Sequence, residues 1–288
     1  MSNISFMWRG VFSLLGICAL GFLAPVAYGA ETVPERAGKA SALPSGKTSA
    51  KEEILLKARA SYYSLKKEGL NEFKCSIEPD WEAPLAELRK TNPQEVERRL
   101  KLFKKMHFEF TASVLGNIDV THRYDGEVPA DMAANFEQIY GGIRQMTSGF
   151  YATWKGFTLT PFLPEAREAY TLDQEPSQYR LGYEGGGTKV VTFLDPDMAI
   201  TSAQITNDAF DSTITPKFRK VAGGFLMSGY DAVFEGTSPP SKITLHVLID
   251  YKLVDGFQLP SRLDLQGSSE GKPFSLVVSF VDCHATRR

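Results

Sequence analysis

Residues 243–265 read ITLHVLIDYKLVDGFQLPSRLDL. Ile243, Leu245, Val247, Ile249 and Tyr251 alternate with Thr244, His246, Leu248 and Asp250, so one face of an extended strand is apolar. Asp255-Gly256 is a dipeptide suited to the tight hairpin turn, and Phe257 to Leu265 pairs back. Upstream the pattern repeats. Tyr179, Leu181 and Tyr183 alternate, Gly185-Gly186-Gly187 turns the chain, and Val191-Thr192-Phe193 leads to a turn at Asp195-Pro196-Asp197. Ile200 to Thr206 and Phe210 to Phe218 follow, with Pro216 expected at an edge. Gly223-Gly224 then opens a hairpin into Phe225 to Phe234. Downstream, Gly271 leads into Phe274, Leu276, Val278 and Phe280. Turns every ~8–12 residues predict an antiparallel meander without parallel crossovers.

Towards the N-terminus the period changes. Met106 to Tyr124 is a hairpin around Gly116-Asn117, with Phe108, Phe110, Ala112 and Val114 on one face and Val120, His122 and Tyr124 answering them. Asn71 to Ile77 is a further strand. The total of about ten strands is too many for a flat open sheet, so the expectation is a strongly curled one. Helical spacing predicts a helix over 51–70, a helical piece over 80–90, and another after the capping signature Asn92-Pro93-Gln94-Glu95. The most apolar helix runs from Ala130 to about Trp154. Its stripe of Phe136, Ile139, Ile143, Met146, Phe150 and Trp154 is too wide for a solvated face. It either packs as the core helix of an α+β domain or lines or plugs a ligand cavity on the concave face.

Before this unit the chain reads differently. Arg9 precedes an apolar run, Val11 to Leu23, followed by Ala27-Tyr28-Gly29, the layout of a cleavable signal peptide over 1–29. The run is about 13 residues, against roughly 20 for a helical span. Cys18 lies inside it behind bulky Ile17, which does not fit a lipidation site. Residues 30–50 are dominated by Ala, Pro, Gly, Ser and Lys and read as a flexible tether, leaving 51–288 as one folded domain. The expected location is periplasmic or secreted, with no transmembrane span in the mature chain. Export leaves Cys75 and Cys283, which in an oxidising compartment are candidates for a disulfide joining the first strand to the last. Two separately buried thiols are the alternative.

The 288 residues carry 32 Lys and Arg against 34 Asp and Glu, a net charge of -2, which does not suit nucleic-acid phosphates. Hydrophobic residues make up 43% of the chain, enough for a folded core. His107, His122, His246 and His284 form no metal-ligand spacing, and neither a nucleophile elbow nor a phosphate loop is present. His246 reads as a solvated or hydrogen-bonded sheet histidine and the Asp195/Asp197 pair as turn residues. No catalytic residue, metal or cofactor is expected.

The segments Tyr179 to Tyr183, Thr192-Phe193-Leu194-Asp195 and, above all, Tyr251-Lys252-Leu253-Val254-Asp255-Gly256-Phe257-Gln258-Leu259-Pro260-Ser261 resemble the periplasmic lipoprotein-sorting carriers and outer-membrane lipoprotein acceptors. The order of elements over 51–286 resembles them too. The resemblance implies an α+β fold with an unclosed half-barrel whose helices pack on the concave face, and a concavity that accepts lipid acyl chains. The expected function is therefore a non-enzymatic binding or carrier protein for a hydrophobic small molecule or lipid. The alternatives are an envelope scaffold whose cavity is self-filled and whose edges bind another envelope protein, and, last, a hydrolase.

Overall fold

The computed structural model describes residues 49–130, 132–159, 162–164 and 169–288. The expected signal peptide, Cys18 and nearly all of the expected tether lie outside the described residues. The chain forms α1 (Ala50–Ala60), β1 (Leu70–Pro79), a 3-10 turn (Ala83–Leu85), α2 (Ala86–Thr91), α3 (Pro93–Phe103), β2 (Met106–Ser113), β3 (Ile118–Tyr124) and α4 (Ala133–Thr158). Nine strands follow: β4 (Tyr170–Gln174), β5 (Tyr179–Gly185), β6 (Thr188–Leu194), β7 (Ile200–Thr206), β8 (Phe210–Val221), β9 (Gly224–Thr237), β10 (Pro240–Val254), β11 (Phe257–Ser269) and β12 (Lys272–Arg287).

Among the described residues twelve strands make one antiparallel sheet, in the order β3-β2-β1-β12-β11-β10-β9-β8-β7-β6-β5-β4. The meander β4 to β12 is thus continued by β1, which pairs with β12 on one side and β2 on the other. The sheet is unclosed, with β3 and β4 at its edges. At the β10–β11 turn Asp255 and Gly256 both adopt left-handed backbone, φ 50° and 88°, as a tight two-residue hairpin requires. Pro216 lies inside the sheet rather than on an outer strand. It pairs with Tyr230 of β9, beyond the point where β8 leaves its β7 partner at Ile214, so on the β7 side no strand is left needing its missing N–H.

Cys75 and Cys283 form a disulfide across β1 and β12, closing a sequence separation of 208 residues. It sits at a register shift between the Lys74–His284 and Ser76–Val281 pairs, where Asp282 takes φ 47°.

One helix, α1, is clearly shorter than expected. It ends at Ala60 instead of reaching Leu70, because Tyr62 and its neighbours leave the helical path to join the sheet. Tyr63 N donates to Phe225 O at 3.0 Å and Phe225 N donates to Ser61 O at 2.7 Å. Gly224 permits this approach, since a Cβ there would lie 2.2 Å from Ser61 O. By contrast, α3 starts where its sequence signature lies, with the Asn92 side chain accepting from Glu95 N at 3.1 Å. Glu95 in turn pairs with Arg98 and Arg99, and these hydrogen bonds, Arg98 first, hold its carboxyl down at about 2.

Candidate binding site on the concave face

The apolar face of the sheet is wrapped around α4. Tyr124 of β3 meets Phe136 of the helix, with ring centroids 5.1 Å apart. Phe110 of β2 meets Tyr151, Phe73 of β1 meets Trp154, and Phe280 of β12 meets Phe150. Phe218 of β8 meets Phe157 at 6.0 Å. One helix reaches strands on both flanks only because the sheet curls.

All six residues of the expected stripe project into this interior. Phe136, Ile139, Ile143, Phe150 and Trp154 are 0–3% exposed, and Met146 is partly buried against the same core. Trp154 and Ile139 are 0% exposed, so no space wide enough for a water molecule touches them. The helix therefore occupies the middle of the concavity with its own side chains. Its polar anchors are few and specific. Trp154 Nε1 donates to Tyr251 Oη at 2.9 Å, Tyr251 Oη donates to Met227 O at 2.6 Å, and Tyr151 Oη donates to Ser113 O at 2.7 Å. Burial pushes the Tyr251 phenol well above its usual range, with the Trp154 N–H pulling weakly the other way.

At one end of the concavity the Ser61–Leu65 segment acts as a stopper. Tyr62 is 1% exposed; its hydroxyl donates to Met198 O at 2.8 Å and accepts from Ile200 N at 2.6 Å. Tyr63 Oη accepts from Gln258 N at 3.1 Å. Leu65 N and Ser64 Oγ donate to the last carbonyls of the helix region, Thr158 O and Leu159 O, at 3.0 and 3.1 Å. Arg59 donates to Leu163 O and Pro164 O at 2.9 and 2.7 Å, tying the same region to α1.

The other end is different. There the register places Ile205, Ser212, Phe234, Ile243 and Ser269 in one row across β7–β11. They share the concave face with buried Ile214, Tyr230, Val247 and Leu263, by the alternation along each strand. Ile205, Phe234 and Ile243 are only half-buried, while Ser212 and Ser269 are buried and their hydroxyls meet no hydrogen-bond partner. Sequence patterning places each residue on a face but gives no register between strands, so this row had no signal in the chain.

The convex face carries a polar cluster on β8–β10. His246 Nδ1 lies 2.5 Å from Asp231 Oδ1, and Lys217 Nζ lies 2.9 Å from Asp231 Oδ2. These hydrogen bonds, His246 first, hold the Asp231 carboxyl below its ordinary range. The three side chains are 41–48% exposed on the face opposite α4, so the histidine that the sequence offers has a carboxylate partner but no enclosing pocket there. Among the described residues no group of three or more His, Cys, Asp and Glu could hold a metal, and no helix is long and apolar enough to cross a membrane.

No family model, curated protein or solved structure matches the chain.

Proposed function

We propose that this is an exported, non-enzymatic binding or carrier protein for a hydrophobic ligand such as a lipid acyl chain. The observation that carries the reading is the concave face itself. It is one apolar surface curled from an unclosed sheet, filled in the middle by the stripe of α4 and left half-buried at one end. A sheet with two free edges can change its curvature without breaking a closed ladder, and apolar concavities of this kind suit adaptable hydrophobic ligands. The Cys75–Cys283 disulfide supports an oxidising compartment, hence a periplasmic or secreted location. A scaffold with a self-filled cavity is the second reading, favoured by the zero exposure of Trp154 and Ile139.

Lipid extraction and native mass spectrometry of the purified protein separate the two. The binding reading expects a copurifying lipid and saturable binding of a fluorescent fatty acid. It fails if no lipid copurifies and the probe binds no better than to a control protein of similar size.

A further inference from the structure

We infer that the half-buried end of the concave face is the ligand's entry site, taking an acyl chain that carries an uncharged polar group such as an ester, amide or hydroxyl. This rests on the hydrophobic-ligand reading above and specifies where and what. The row Ile205–Ser212–Phe234–Ile243–Ser269 is the basis. Ser212 is 5% and Ser269 0% exposed, and neither hydroxyl has a hydrogen-bond partner. Native folds carry few such groups, because a buried hydroxyl that has lost water and gained nothing is costly. Two of them in one row, separated by apolar Phe234 and Ile243, form the pattern of a site whose partner arrives from outside.

The surroundings fix the chemistry. Phe234 and Ile243 lie between the serines and are half-buried, so they can part and take a hydrocarbon chain while exposing a hydroxyl to it. None of the five residues is ionisable. A charged headgroup would enter this row uncompensated, whereas an ester carbonyl can accept from a serine at little desolvation cost. The middle of the concavity also buries unpartnered hydroxyls, those of Thr147 and Thr158, but both belong to α4 and are 0% exposed, with no half-buried row of sheet residues carrying them. There α4 already fills the space, and the hydroxyls of Tyr251 and Tyr151 are committed within the protein.

The test uses the disulfide-bonded protein and a monoacylglycerol bearing a diazirine in its acyl chain, with the labelled peptides located by mass spectrometry. Labels are expected within β8–β11 around Ser212, Phe234, Ile243 and Ser269. Monopalmitoyl glycerol should compete better than palmitate. The double change Ser212→Ala with Ser269→Ala should weaken labelling by about tenfold while the melting temperature stays level or rises, since removing an unpartnered hydroxyl takes nothing from the fold. Ile243→Trp, which fills the row, should abolish labelling in a protein that still melts cooperatively.

Labels confined to strands beneath α4, such as those around Phe73 and Phe280, would overturn this site and leave the hydrophobic-ligand reading standing. So would a melting temperature that falls together with binding in the double alanine variant, or palmitate competing as well as the ester. No labelling above a control protein would overturn both.

Discussion

Tyr62 at one end of the concavity has its hydroxyl doubly committed, to Met198 O and from Ile200 N. Ser212 and Ser269 at the other end bury hydroxyls that meet nothing. Both ends close off the same apolar surface with residues of the same strands, β7 to β11. At the stoppered end, a segment from outside the sheet bonds to the backbone around it, Tyr62 to Met198 and Ile200 and Tyr63 to Gln258, and the last turn of α4 is held to it through Leu65 and Ser64. At the half-buried end, only sheet side chains take part. The stoppered end is finished by the chain's own atoms, and the other, under the proposed function, is finished by a ligand.

That contrast can be broken by measurement, and the largest effect belongs to the anchored side. Trp154→Ala removes a fully buried indole, its ring contacts and its bond to Tyr251, and should cost about 3–5 kcal/mol. Thermal unfolding should show this as a melting temperature lower by roughly 6–20 °C. A loss below about 1 kcal/mol would mean that α4 is not an integral part of the fold. Next comes the disulfide. Cys75→Ser with Cys283→Ser should cost about 2–4 kcal/mol in denaturant unfolding, since the bridge constrains a 208-residue separation.

A smaller pair of changes compares the two ends directly. Tyr62→Phe leaves Met198 O and Ile200 N buried without their partner and should cost about 1–3 kcal/mol. Phe234→Ala, at a half-buried site, should cost less than the ~3–5 kcal/mol of a fully buried phenylalanine. If chemical denaturation ranks Phe234 as costly as a core ring, the half-buried end is as finished as the stoppered one.

The smallest effect lies outside both ends. Glu95 is held at about 2 by its arginines, below its usual 4.5. A depressed carboxyl stabilises the fold above its unfolded value and loses that contribution as pH falls from about 4.5 through 2. Glu95 is half-buried but its partner Arg98 is exposed, so solvent screens the pair and Glu95→Gln should cost no more than about 1 kcal/mol at pH 7 and almost nothing at pH 2. Equal losses at both pH values would show that charge is not the source.

What could be read from the chain follows the range of each interaction. The hairpins of β8–β12 and the α4 stripe were legible, because alternation and three-to-four spacing are local and turns such as Asp255-Gly256 mark their own ends. The cysteine pairing was within reach because residues 51–288 hold two cysteines, Cys75 and Cys283. β4 was not foreseen: Tyr170–Gln174 is five residues long, carries Asp173 and Gln174, and becomes a strand through its pairing with β5. The spacing of Tyr62 and Leu65 fitted a continued helix, yet pairing with Phe225, a residue more than 160 positions away, overrode it. The row from Ile205 to Ser269 depends on four independent strand registers, and no local pattern encodes those.

The pairing of β1 with β12 also has a kinetic side. β1 is among the first elements of the folded unit to be synthesised, yet one of its two neighbours is the last strand of the sheet. Until β12 arrives, β1–β3 and β4–β11 can form only as separate ribbons, each with an apolar face and a bare edge. Bringing them together means closing a loop of some two hundred residues, an entropic cost met late and all at once. The vulnerable species during maturation is therefore a nearly complete chain lacking only its final strand, and a folding helper acting on this protein would have most to protect at the unfilled position between β1 and β11.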